Sequence, residues 1–180
     1  MATPPDFTDA TALAASSLNS IGLWKTASVT LTGQTTASLT NAFTSDYSNY
    51  LFVYNVRTNT GTTAMRVQLA INGTPNATAG SYIVGGRFVG YPGVGAADFN
   101  AADPYFGFSF MATFPNNGHV TISNPFDTTP TSITGNYSSN NAMVVVGGYH
   151  NQSVSYNGLY ITNSATAALF GQFSVYGMKK

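Results

Sequence analysis

The chain has 180 residues, 43% of them hydrophobic, and its six basic residues balance six acidic ones to give zero net charge. That apolar content excludes disorder, the length fits one domain, and the lack of basic excess argues against a nucleic-acid partner. With no Cys, no Glu and only two His, the side chains of nucleophilic, acid–base and metal chemistry are scarce, so no cofactor, metal or catalytic residue is expected.

Residues 1–26 differ in pattern from the remainder. Pro4-Pro5 starts stiff and extended. Thr8 or Asp9 caps a short Ala-rich helix over Ala10 to Leu18. Leu13, Leu18, Ile21, Leu23 and Trp24 then form an apolar edge. A helix this short is marginal alone, so the arm must dock, either on its own domain or on a neighbour. The stretch Met1 to Asp9 carries no Lys or Arg and lacks the basic start of a secretory signal. No run reaches the roughly 18 apolar residues of a membrane span.

From Ala27 to residue 180 the pattern predicts a single all-β domain. Ser28–Thr32 alternates with period two, and Ala37–Thr40 is a short partner. Tyr50–Thr58 is a long aromatic and β-branched run. Ala64–Ile71 alternates Met65, Val67, Leu69 and Ile71 against Arg66, Gln68 and Ala70, and Asn72-Gly73 ends it with a turn signal. Ser81–Val89 and Tyr105–Phe114 follow, separated by a Gly/Pro/Ala/Asp-rich loop from Gly90 to Pro104. Asn117-Gly118 predicts a hairpin turn into His119–Ser123. Thr131–Tyr137, Met143–Tyr149, Gly158–Thr162 and Leu169–Met178 complete about ten short strands. That spacing predicts an antiparallel β-sandwich, jelly-roll-like, with a short N-terminal arm or helix. Met143-Val144-Val145-Val146 is apolar on both faces and is expected in a central strand, because exposed it invites aggregation.

The remaining polar groups offer little chemistry. His119 and His150 stand in no metal-ligand spacing and read as loop or strand-edge residues. All six Asp fall in arms, turns or loops, Asp98 and Asp103 within the Gly90–Pro104 loop. The aromatics are more informative. Tyrosine is half apolar and half polar, which suits subunit interfaces and sugar contacts. Tyr91, Tyr105, Tyr149 and Tyr156 lie near loops and are the candidates for subunit or glycan contact. The five apolar arm residues are the candidates for partner binding.

Three segments carry a resemblance. The first is Asn41-Ala42-Phe43-Thr44-Ser45-Asp46-Tyr47-Ser48-Asn49-Tyr50, running into LFVYNV and then MRVQLAINGT. The second is Thr121-Ile122-Ser123-Asn124-Pro125-Phe126, followed by Thr128 to Thr134. The third is the ending Gly171-Gln172-Phe173-Ser174-Val175-Tyr176-Gly177. Together they resemble the small β domains of tailed-bacteriophage virion surface proteins, of tail-fibre or head-decoration type. Ser48 stands where that pattern often has Asp, and the Gly90–Asp103 loop has no counterpart. The resemblance implies a non-enzymatic virion structural protein, commonly homotrimeric, whose partners are itself and other virion proteins. Attachment through the N-terminal arm then suits a capsid decoration (cement) protein or a short fibre. Such a protein is made in the host cytoplasm without a signal peptide and resides on the particle surface. The alternative is a tail-fibre tip or a receptor-binding, carbohydrate-binding module that recognises a host surface glycan. Neither reading involves nucleic acid or membrane insertion.

Overall fold

The computed structural model describes residues 22–90, 97–139 and 142–179. They form thirteen strands: β1 Leu23–Gln34, β2 Ala37–Leu39, β3 Tyr47–Thr58, β4 Thr63–Ile71, β5 Thr74–Pro75, β6 Tyr82–Gly90, β7 Ala97–Asp103, β8 Phe106–Met111, β9 Asn116–Ser123, β10 Thr131–Ser139, β11 Ala142–His150, β12 Gly158–Asn163 and β13 Leu169–Lys179. No helix occurs among the described residues, and the short helix expected between Ala10 and Leu18 lies outside them.

All pairings are antiparallel. One sheet has eight strands in the order β1-β13-β3-β9-β10-β11-β6-β7. The other has five: β2-β12-β4, with β5 and β8 sharing the far edge of β4. Eight of the strands obey a simple rule. Taken in chain order, β1, β2, β3, β4, β8, β9, β12 and β13 pair first with last, second with seventh, third with sixth and fourth with fifth. This is a long hairpin rolled onto itself, the topology of a jelly roll. The other strands are insertions. β5, β6 and β7 enter at the tip of the rolled hairpin, and β10 and β11 follow β9. Together β10, β11, β6 and β7 widen the first sheet beyond β9.

Side-chain alternation builds the core. In β3, Tyr50, Phe52, Tyr54, Val56 and Thr58 are buried, while Asn55 and Arg57 are exposed. In β4, Met65, Val67 and Leu69 are buried, but Ile71 is exposed beside the turn. Asn72 and Gly73, at φ 50° and 82°, make that two-residue turn as their sequence predicts. The aromatic rings interlock: Phe52 stacks on Phe173 at 5.7 Å between centroids, and Tyr82 meets Phe106 edge-on at 4.7 Å. Each such fully buried side chain contributes about 1.5–3 kcal/mol.

Three expectations need correction. The sandwich has thirteen strands, not about ten: the two-residue β5 is additional, and half of the Gly90–Pro104 loop is the edge strand β7. Asp98 and Asp103 therefore sit in a strand. The run ADFNAAD has weak strand propensity, but the open edge of β6 recruits it, pairing Phe88 with Ala97 through to Tyr82 with Asp103. Asn117-Gly118 is not a turn but the interior of β9. A Cβ on Gly118 would lie 2.4 Å from the Tyr54 ring, so the glycine makes room for packing. β1 begins at Leu23, so the last four residues of the expected arm, Leu23 to Thr26, belong to the sandwich. As expected, β11 is a central strand, between β10 and β6, with Val144 and Val146 covered. Met143 and Val145 are exposed.

Candidate functional site

The eight-stranded sheet buries one face and opens the other. Strand register places the open face's side chains in rows that cross the strands. One row runs Gln172, Asn55, Asn117. It continues through Ser138, whose hydroxyl accepts from the Asn117 N–H at 3.0 Å and donates to its carbonyl at 3.1 Å, and ends at Met143. The next row runs Ser174, Val53, His119, Asn136, Val145. Between them lies a shallow groove of about 620 Å³ whose floor is the sheet at Tyr54, Gly118 and Tyr137, with Tyr176 at the β13 end and Met143 at the other.

Asn55, Asn117, His119, Asn136 and Gln172 are all exposed. None of their side chains bonds another described residue. His119 is thus not the loop or strand-edge residue expected but the middle of an interior strand. Sequence reasoning missed this cluster because its members come from β13, β3, β9 and β10, far apart along the chain.

Beside the groove the face turns apolar. Val89, Met143 and Val145 are 46%, 51% and 52% exposed, with Met143 directly opposite Val89. Past the bare backbone of the Gly85–Gly147 pair stands Tyr149, 44% exposed. The four form an apolar flank along β11 and β6, crossed by the exposed Arg87, which stands opposite Val145 on the same face.

The other candidate residues are scattered. Leu13, Leu18, Ile21 and Tyr91 lie outside the described residues. Leu23 and Trp24 open the edge strand β1 and are half exposed, opposite Met178 and Gly177. Tyr105 is half-buried beneath the Arg66 guanidinium, 4.6 Å from its ring, a cation–π contact. Tyr156 is 1% exposed, and so is packing rather than a surface contact. Its hydroxyl joins Asn76 and His150 at 2.7 Å each.

His150 is the other departure from the sequence reading: it ends β11, fully buried. Nδ1 faces the Ser81 carbonyl at 3.2 Å and the ring lies 4.1 Å from that of Tyr82. Burial holds its pKa below the ordinary histidine value, against the smaller opposing effect of the Ser81 contact. Both ring nitrogens are committed to internal partners, so this imidazole braces the core.

Among the described residues no three His, Cys, Asp or Glu side chains gather to hold a metal, and no helix is long and apolar enough to cross a membrane. No protein-family model, curated protein or solved structure matches the chain.

Proposed function

We propose that the chain is a non-enzymatic structural protein of a tailed-bacteriophage virion surface. It associates as a homotrimer and is held to the particle through its N-terminal segment, as a capsid decoration protein or short fibre. The virion placement rests on the three resembling segments around Asn41–Tyr50, Thr121–Phe126 and Gly171–Gly177.

The observation that carries the assembly is the apolar flank of Val89, Met143, Val145 and Tyr149. Apolar side chains grouped on an open sheet face and rimmed by polar ones mark a protein interface. A chain of zero net charge has little self-repulsion to oppose association. At the opposite edge, half-exposed Leu23 and Trp24 lead back into residues 1–21, which supports attachment from that side. The open faces offer amides, hydroxyls and apolar area, material for binding.

Deletion of residues 1–21 tests the attachment, since it leaves β1 whole. The truncated chain is expected to fold and to be lost from purified particles. Incorporation at the stoichiometry of the full chain contradicts the anchor.

A further inference from the structure

We infer that the groove across the open face of the eight-stranded sheet is a binding site for a neutral oligosaccharide. The inference goes beyond the assembly proposed above and does not depend on virion placement.

Geometry comes first. The groove crosses β13, β3, β9, β10 and β11. Five strands at a spacing of ~4.8 Å give a track about 19 Å long, which suits an extended ligand of several rings. Its walls stand on strands hydrogen-bonded on both sides, so binding needs little ordering of the protein.

The chemistry selects the class. No Asp, Glu, Lys or Arg lines the groove, which removes the basis for holding phosphate, sulfate or carboxylate groups. Asn55, Asn117, Asn136 and Gln172 each present an amide with two donors and an acceptor oxygen, and His119 adds a ring nitrogen of each kind when neutral. A sugar hydroxyl is itself both donor and acceptor, so a run of such groups suits a run of hydroxyls. Tyr176 at the β13 end supplies the apolar contact that the C–H faces of sugar rings take.

Among the described residues, the fold makes no hydrogen-bonding use of these side chains. Asn is depleted in strands, yet Asn55 and Asn117 stand opposite each other, beside Gln172, in interior strands. They are exposed and make no side-chain hydrogen bond with the rest of the described chain. Side chains that oppose local propensity without a packing return point to a binding role.

The test applies the full-length chain to an array of neutral, sialylated and sulfated oligosaccharides, then titrates the strongest neutral binder by calorimetry. Binding to neutral oligosaccharides is expected, with affinity unchanged by added salt. The double variant Asn117→Ala/His119→Ala is expected to weaken it at least tenfold while keeping the wild-type unfolding midpoint, because both side chains are exposed. Ser38→Ala, on the opposite sheet, is expected to bind like the wild type. The inference is overturned by an array without neutral binders, by salt-sensitive preference for the anionic sugars, or by a double variant that binds as well as the parent. Any of these leaves the proposed self-association standing, since that is read from mass.

Discussion

The Nε2 atom of His150 lies 2.7 Å from the Tyr156 hydroxyl oxygen, with both residues buried. Only one proton arrangement satisfies the cluster. The Ser81 carbonyl can only accept, so Nδ1 carries the proton and donates to it. Nε2 is left as an acceptor, the Tyr156 hydroxyl donates to it, and the Tyr156 oxygen accepts from the Asn76 amide. The neutral imidazole fills every bond, and a second proton on Nε2 would oppose the Tyr156 donor.

Acid should therefore weaken the fold through this one residue. Burial lowers the folded pKa of His150 below the ordinary 6.5. Its contribution is complete above pH 6.5 and is lost as pH falls through the window between 6.5 and the lowered value, where the unfolded chain binds the extra proton. The slope approaches 1.36 kcal/mol per pH unit at most. Urea unfolding of the wild type from pH 7.5 to 5 is expected to show this loss, whereas His150→Gln flattens it. An unchanged slope in His150→Gln would assign the acid sensitivity elsewhere.

At the alkaline end the sign reverses. Burial raises the pKa of Tyr50, Tyr82 and Tyr156 above 10. These groups stay protonated in the fold after they ionise in the unfolded chain, so their stabilisation holds below pH 10 and is lost as pH climbs beyond it. Ultraviolet titration of the native protein is expected to show a group of tyrosines that ionise only on unfolding. All eleven titrating together near pH 10 contradicts their burial.

Tyr82 also closes a loop. Its hydroxyl accepts from the Leu69 N–H at 3.0 Å and donates to the Asn76 carbonyl at 2.8 Å, tying the turn after β4 to the start of β6. Tyr82→Phe keeps the ring against Phe106 and His150 but orphans a buried N–H. The expected cost is about 1–3 kcal/mol, read by chemical denaturation. A neutral substitution means that water reaches Leu69.

Gly118→Ala tests packing inside the long sheet. The new methyl would lie 2.4 Å from the Tyr54 ring and 2.6 Å from the Tyr137 Cβ. Overpacking of this kind costs about 1–3 kcal/mol. Val120→Ala, two residues along the same buried face, is expected to destabilise too, but by leaving a cavity. A Gly118→Ala protein as stable as the parent would remove the reason given for the glycine.

Much of this fold can be read directly in the chain. The alternation in Tyr50–Thr58 and Ala64–Ile71 corresponds to the inward faces of β3 and β4, and Asn72-Gly73 makes the turn it signals. The failures share one cause, which is that neighbours distant in sequence decide the outcome. Ala97–Asp103 becomes a strand only because β6 has a free edge. Asn117-Gly118 carries the local signature of a turn, but pairing of Gly118 with Tyr54 of β3 on one side and Tyr137 of β10 on the other makes it strand. The groove depends on the register that aligns Gln172, Asn55 and Asn117 over three strands, and no local pattern encodes that alignment. Tyr156 was the least legible of the tyrosines: its flanking polar residues read as a loop surface, while its partner His150 draws it into the core.

Self-association through the β6–β11 flank is the claim on which the proposed function leans. Light scattering on the purified full-length chain is expected to return three times the 18.9 kDa chain mass. Val145→Lys, which sets a second cation directly opposite Arg87 beside Val89 and Met143, is expected to bring it down to a single chain without unfolding the sandwich. A wild-type mass of 18.9 kDa at every concentration, or a Val145→Lys protein as large as the parent, contradicts the account.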